Sequence, residues 1–574
     1  MALNKENNLN TKVITRSEYR RNKLLSETQS IVNNVTDEEQ LLRGTSWMTA
    51  ASILSRVLGA LYIIPWVAWF GTFYNQANAL FSKGYNVYSI ALMISTAGIP
   101  AAISKLIAHY NALDEYNVGF DLFKKGMLLS VITGLVAAIL MLLAAPMHSL
   151  TNGDPNVAPV LRTLSLAIFV FPSLSMMRGL FQGYHMMAPS AISQFIEQIV
   201  RVIYMLSTTY LIMVLGKNPT KHWPLAVEQS TFAAAVGAIA GILLLFYEFY
   251  KYRNYFRRCS LISKNAINVS TTKLFKEIVW EAIPFTIVPS AIAIYQLFDQ
   301  VTFFKIMRMT TNLSYSMQNN LYAYFDFNAN KIIMIVVSLA SAISATAIPL
   351  LTEANTKNDI KGTNKQIIFT LKLFSFVMLP AALGMAAVAI PLYTLFYHYS
   401  LPGSIVLEYS AYLSILFGLY TILATIMQGI DENIKIINYL IIGFIVKCIL
   451  QYPMVAIAQP IGPLLATTIG FGVSCWLVVK YLKRQYKIKY SVMFSSIDKI
   501  MLYSLITFIV ARLIILLLGH VINLQYKLLA LLAVALAAII GGGLYAFLSL
   551  RSHLADELLG DRVDKLRKLL KLSK

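Results

Sequence analysis

The sequence predicts an all-α polytopic membrane protein of about fourteen transmembrane helices: two parallel-repeat six-helix lobes plus two extra helices. Three observations carry this. Of 574 residues, 57% are hydrophobic and 13% charged, with mean hydropathy +0.62, whereas soluble proteins run to about 25% charged. The apolar residues gather into fourteen runs, each near the ~20 residues that cross a bilayer as helix. The chain also echoes itself. Gln182 and Gln428 end matching runs, Arg201 and Lys447 lie inside the following ones, and each pair is 246 residues apart. ISTAGIP at 94–100 returns as ISATAIP at 343–349.

Residues 1–45 carry mixed charge, including Arg16, Arg20, Arg21, Lys23, Asp37, Glu38 and Glu39, with too few apolar residues for a core. They read as a partly helical cytoplasmic tail. A cleavable signal would begin almost at once, so the first span is expected to be retained. The N-lobe, 46–250, holds runs at 46–70, 83–107, 123–147, 160–182, 188–214 and 230–250. A basic cytoplasmic linker, 251–276, leads to the C-lobe, 277–481, with runs at 277–304, 330–352, 367–390, 408–429, 434–456 and 461–481. Residues 482–550 add runs at 497–519 and 526–549, and 551–574 form a basic cytoplasmic tail. In that tail Leu566, Leu569, Leu570 and Leu572 either lie on anionic lipid or are solvated.

An even number of spans puts both termini on one side, and placing both in the cytoplasm satisfies the positive-inside bias. Lys251, Arg253, Arg257, Arg258 and Lys264 then fall in an inner loop, as do Lys357, Lys361 and Lys365, and Lys480, Lys483, Arg484, Lys487 and Lys489. Lys217, Lys221, Lys305 and Arg308 are exceptions. This distribution accounts for the net charge of +21 without nucleic acid. Six spans separate the two copies of the repeat, so both insert in one orientation, the plan of a two-lobed transporter with a path between the lobes.

Charges inside these runs are the candidate functional groups, because an arginine or lysine against hydrocarbon costs roughly 2.5–3.5 kcal/mol even on a lenient scale. Arg56 lies about ten residues into the first span, roughly 15 Å at helical rise, too deep for its stem to reach the surface, and is expected to face a cavity. In the span from Trp280 to Phe304 stand Glu281, Pro284, Pro289, Tyr295, Gln296, Asp299 and Gln300; the prolines mark either a flexing gate or a static kink. Asp299 and Lys331 either pair as an outer gate or face water. Gln194, Glu197, Gln198 and Arg201 share one helical face, and Glu197 with Arg201, one turn apart, reads as a structural pair. Lys447 has Gly443 where that acid would stand. Lys105 and Arg178 are expected to anchor at the interface.

RGLFQGYHMMAPSAISQFIEQIVRVI at 178–203, SRVLGALYIIP at 55–65 and GIPAAISKLIA at 98–108 resemble the MurJ-type lipid II flippases and polysaccharide exporters of the multidrug/oligosaccharidyl-lipid/polysaccharide superfamily, in the branch found in Gram-positive bacteria. The resemblance runs from about 44 to 550. It implies a central cavity whose cations on the first, second and eighth helices handle a lipid diphosphate, and a groove beside the last two helices for a polyprenyl tail. Arg56 matches by motif; Lys331 corresponds approximately and Lys83 more weakly. Tyr62-Ile63 replaces the Arg-Asp pair of Gram-negative members, and Met334 stands near the place of the eighth-helix acid. Arg56, Lys83, Lys331, Asp299 and Gln296 are thus the expected substrate-binding residues, with Glu197, Arg201 and Lys447 as structural or coupling charges.

The implied activity is translocation of undecaprenyl-diphosphate-linked peptidoglycan precursor from inner to outer leaflet by alternating access, by a monomer in the plasma membrane, with cell-wall synthesis proteins as candidate partners. A flippase for capsule or exopolysaccharide units shares the architecture; a small-molecule antiporter fits the motifs less well. A membrane glycosyltransferase or polymerase would need a catalytic acidic motif or a large outer loop. The seven histidines are scattered, Cys259, Cys448 and Cys475 lack metal spacing, and no GxxxxGK[ST] loop occurs. No cofactor is therefore expected, and any drive comes from an ion gradient, the membrane potential or mass action.

Overall fold

A computed structural model of the chain describes residues 61–96, 113–184, 186–216, 218–264, 271–356, 359–486 and 490–559, with isolated positions at 55–59, 103–111 and 563. Among them there is no strand. In order they form α1 (Ile63–Phe70), α2 (Tyr74–Thr96), α3 (Tyr116–Asn152), α4 (Val157–Gly183), α5 (Met187–Met213), α6 (Pro219–Lys251), the short α7 (Arg253–Ile262), α8 (Thr271–Thr310) and α9 (Tyr315–Ala323). A six-residue π segment, Tyr324–Ala329, then joins α9 to α10 (Asn330–Thr356). There follow α11 (Ile360–Ala387), α12 (Ala389–Phe396), α13 (Leu401–Gly429), α14 (Asn433–Ala458), α15 (Gly462–Tyr486), α16 (Tyr490–Val521), α17 (Lys527–Arg551) and α18 (Leu554–Leu559).

Among the described residues eleven helical segments are long and apolar enough to cross a membrane, one of which, Asn433–Tyr486, divides into α14 and α15. The expected fourteen is therefore not reached there. Only the second part of the first run, from 61, is described continuously, and α2 is too polar to qualify. Helix α2 begins at Tyr74, nine residues before the expected run, because Asn75, Asn78 and Ser82 are buried against other helices rather than exposed in a loop. The eighth span likewise starts at Tyr315 instead of 330, since Gln318, Asn319, Asp326 and Asn328 face inward.

Leucines and isoleucines point outward along the long helices, among them Leu143 (68% exposed) on α3, Ile449 (70%) on α14 and Leu517 (66%) on α16. In water such a surface would be untenable; in lipid it is the solvated face. Helix starts carry their own signals. Ser314, Asp359 and Ser400 cap α9, α11 and α13 by accepting from the backbone N–H three residues on, satisfying donors the helix leaves free.

Helices α5 and α6 pack together and α4 lies against α2, α3 and α6; further along, α13 packs on α10, α11 and α15, and α14 on α8 and α15. Helices α16 and α17 pack on each other and against α11. The internal echo reappears as geometry. Gln182-Gly183 and Gln428-Gly429 each end a helix, and the turns that follow close with Met186 N–H to Phe181 O and Glu432 N–H to Met427 O, both 2.8 Å. A Cβ on Gly237 would meet Glu197 O at 2.7 Å and Arg201 Cβ at 3.0 Å; one on Gly470 would meet Gly443 O at 2.8 Å and Lys447 Cβ at 3.1 Å. Glycine is required there because two helix backbones approach within contact. Pro284 and Pro289 both fall inside α8, which remains helical through them.

Candidate functional site

Asn75, Asn78, Ser82 and Asn86 recur at steps of three and four along α2 and so share a face. That face is buried against α9 and the π segment. Asn78 accepts from Trp66 Nε1 (2.9 Å) and donates to Asn328 Oδ1 (2.7 Å). Asn328 Nδ2 donates to Asn75 Oδ1 (3.1 Å) and Tyr393 OH (2.7 Å). Asp326 Oδ2 accepts from Ser82 Oγ, Asn86 Nδ2 (2.9 Å) and Tyr322 OH (2.7 Å). At the Tyr74 half of the same helix the Lys83 ammonium is fully buried. It donates to Asp154 Oδ2 (3.1 Å), Tyr315 OH (3.0 Å) and Asn319 Oδ1 (2.7 Å), one acceptor for each proton. Lys83 thereby ties α2 to the α3–α4 turn and to α9.

A second buried ammonium, Lys447 on α14, donates to Asp299 Oδ2 (2.7 Å), Tyr295 O (2.9 Å) and Thr467 Oγ1 (2.8 Å), joining α14 to α8 and α15. Gln451, one turn on, donates to Asp299 Oδ1 at 2.8 Å. Asp299 is thus the buried partner of Lys447, and neither of the two alternatives, pairing with Lys331 or facing water, holds for it. Gln296 borders a cavity of about 20 Å³ between Asp299 and Asp326, room for one water. Asp326 Oδ1, Asn330 Oδ1 and Ser410 Oγ are buried there without a protein partner.

Lys331 and Arg201 are arranged differently. The Lys331 ammonium lies 5.2 Å from the centroid of the Tyr85 ring, with Phe81 and Phe327 at 5.6 and 5.4 Å. The Arg201 guanidinium lies 5.4 Å from that same Tyr85 ring. Two half-buried cations, one on α5 and one on α10, thus flank one aromatic on α2, and neither has a carboxylate within ion-pair distance among the described residues. The expected Glu197–Arg201 pair does not form. Glu197 is taken by Arg178 at 2.7 Å, with Ser193 completing the contact. Arg178 is therefore a helix-to-helix tie rather than an interface anchor. Arg201, freed of its acid, is left with Tyr85, whose ring it approaches and whose side chain it hydrogen-bonds. Arg56 and Lys105 lie outside the described residues, but Gly59, one turn after Arg56, faces Gln198 of α5 with a Cβ distance of 3.5 Å.

The α2 stripe was absent from the sequence reading, although its four polar residues at helical spacing are visible there. Three of them, Asn75, Asn78 and Ser82, precede the apolar run at 83–107 and so look like loop, and Asn86 stands alone inside it. Among the described residues no three His, Cys, Asp or Glu side chains gather to hold a metal.

Membrane helices tied by buried ion pairs, with two cations between them that lack a carboxylate partner among the described residues, define a polytopic α-helical membrane protein. The comparisons make this specific. The family described as "Polysaccharide biosynthesis protein" matches residues 41–355. "Lipid II flippase MurJ" of Bacillus subtilis (strain 168) is 34% identical over 539 residues, covering 91% of this chain and 97% of that protein. The fold is also that of the structure of "Lipid II flippase MurJ, inward closed conformation" (TM-score 0.56, 16% identity, 87% of this chain and 98% of that one). An inward-facing multidrug resistance MATE family transporter of the MOP superfamily has the same fold (TM-score 0.61, 15% identity, 75% and 94%). The chain belongs to the polysaccharide biosynthesis protein family, among its MurJ-type flippases.

Proposed function

We propose that this protein translocates the undecaprenyl-diphosphate-linked peptidoglycan precursor, lipid II, from the inner to the outer leaflet by alternating access. Both termini are cytoplasmic, 46–250 and 277–481 act as two lobes, and the Tyr74 end of α2 is outer. What supports the reading is the Arg201–Tyr85–Lys331 arrangement, in which helices of the two lobes each present a cation with no carboxylate partner among the described residues. A diphosphate needs a replacement for the water it leaves, and guanidinium and ammonium donors supply charge-assisted hydrogen bonds for it. Arg56, on the helix whose Gly59 faces Gln198, joins that set. Gln296 takes part from beside the small cavity it borders. Lys83, Asp299 and Lys447 are already saturated by protein partners, so their role is to hold helices and not to bind substrate. The polyprenyl tail stays in lipid, and the work of the protein is confined to the headgroup.

The test is the double variant Arg201→Gln/Lys331→Gln in cells depleted of their own flippase. Expression should stay at the wild-type level, and lipid II reaching the outer leaflet should fall by about tenfold or more, two charge-assisted contacts having been lost. Wild-type export by that variant would remove the pair from the mechanism. Blocked glycan elongation with lipid II already outside would instead identify a polymerase step.

A further inference from the structure

Away from the central cations, a cleft of about 440 Å³ opens where the start of α3, the end of α6 and the short helix α7 meet. Its wall is an aromatic stack. Phe120 lies parallel to Phe249 with centroids 6.2 Å apart, Phe249 is 5.2 Å from Phe256, and Phe256 is 5.0 Å from Tyr184. Lys124, Arg253 and Arg257 line it with a single acid, Asp121, which meets Lys124 at 3.7 Å with both side chains largely exposed. Arg253 and Arg257 have no carboxylate partner among the described residues. Helix α7 is amphipathic in the required sense: Phe256, Cys259 and Ile262 are buried while Arg253, Arg257 and Arg258 are exposed.

What lies beside the cleft identifies the occupant. One turn past Lys124 the outward face of α3 becomes Leu128, Ile132 and Leu135, and just before the end of α6 it is Leu243, Phe246 and Tyr247, all exposed. The cleft therefore sits where a lipid-facing surface meets a basic rim, the depth of a phospholipid headgroup. We propose that it binds the phosphodiester headgroup of an anionic glycerophospholipid. The phosphate lies between Arg253 and Arg257, the glycerol rests on the aromatic wall, and the acyl chains run along the outward leucines. A free phosphate would use the arginines and leave the adjoining apolar strips without a role. This site is independent of the translocation path and stands whether or not lipid II is the cargo.

The experiment uses the full chain in detergent, with bound lipid counted by native mass spectrometry against added phosphatidylglycerol or phosphatidylcholine. Arg253→Gln/Arg257→Gln should weaken phosphatidylglycerol binding by about tenfold or more and leave phosphatidylcholine unchanged. Arg258→Gln/Lys251→Gln makes the same charge change outside the lining and should have no such effect. Soluble glycerol 3-phosphate should fail to displace the lipid, and a photoreactive benzophenone side chain at Ser260 should capture phosphatidylglycerol in the otherwise unaltered protein. Undiminished binding by the cleft variant, equal loss from both variants, displacement by glycerol 3-phosphate, or no capture at Ser260 would each overturn the proposal.

Discussion

Lys447 shows how a charge is made tolerable inside a membrane: its three protons meet a carboxylate, a backbone carbonyl and a hydroxyl. Removing one partner strands the other, and breaking a buried pair costs about 3–5 kcal/mol, whereas replacing both by apolar groups is far milder. Lys447→Met alone should lower the unfolding temperature of the detergent-solubilised protein sharply, and Lys447→Met/Asp299→Leu should recover much of the loss. A double variant that loses as much as Lys447→Met and Asp299→Leu summed would mean that the pair contributes nothing as a pair. Outside the spans, burial pushes the Cys259 thiol up from its ordinary value. A raised pKa keeps the sulfur protonated, and the thiolate is the reactive form. Cys259 should therefore resist maleimide at pH 7 in native membranes and react only after denaturation; prompt labelling of Cys259 in the native protein would contradict its placement.

At the level of helices, the two repeat-related cation-bearing elements, α5 and α14, are each packed backbone to backbone against the next helix through glycine. A Cβ on Gly443 would lie 2.3 Å from Gly470 O, a distance no side-chain movement can relieve. Gly443→Val should abolish stable folding, seen as loss of the monodisperse detergent-solubilised protein, while valine at Gly472, which has open space around its missing Cβ, should be accepted. A well-folded Gly443→Val protein would show that α14 and α15 are not in contact as described. The repeat behind this geometry was legible because both copies lie in one chain, with Gln182 and Arg201 against Gln428 and Lys447 at a fixed offset. The partners were not. Lys83 meets Asn319 across 236 residues and Lys447 meets Asp299 across 148, and periodicity along a helix says which residues share a face but not which face of another helix they meet. That is also why Glu197 was matched to its neighbour one turn away, Arg201, when the packing of α4 on α5 offers it Arg178 instead.

For the molecule as a whole, the α2 stripe matters because it is the polar seam between the first part of the chain and the part after 314. Bonds between membrane helices average about 0.6 kcal/mol each, so the eight side-chain bonds that cross this seam amount to about 5 kcal/mol. That exceeds the ~2.7 kcal/mol of a 99:1 closed-to-open population and approaches the ~5.5 kcal/mol a ligand must supply to swing it from 99:1 to 1:99. A seam of that strength can hold one end of the path shut and still be opened by a bound headgroup; an apolar interface of the same size would have no hydrated partner to exchange for. At its rim Gln76 Nε2 donates to Ser316 Oγ at 3.4 Å, with Ser316 exposed and Gln76 only partly covered. In the variant Gln76→Cys/Ser316→Cys a short bis-methanethiosulfonate added from outside should therefore join α2 to α9. Lipid II export should stop on cross-linking and return on reduction, with either single-cysteine protein unaffected by the reagent. Export that continues at the full rate through the cross-linked protein would mean that this seam never opens, and the headgroup would have to leave by some other route.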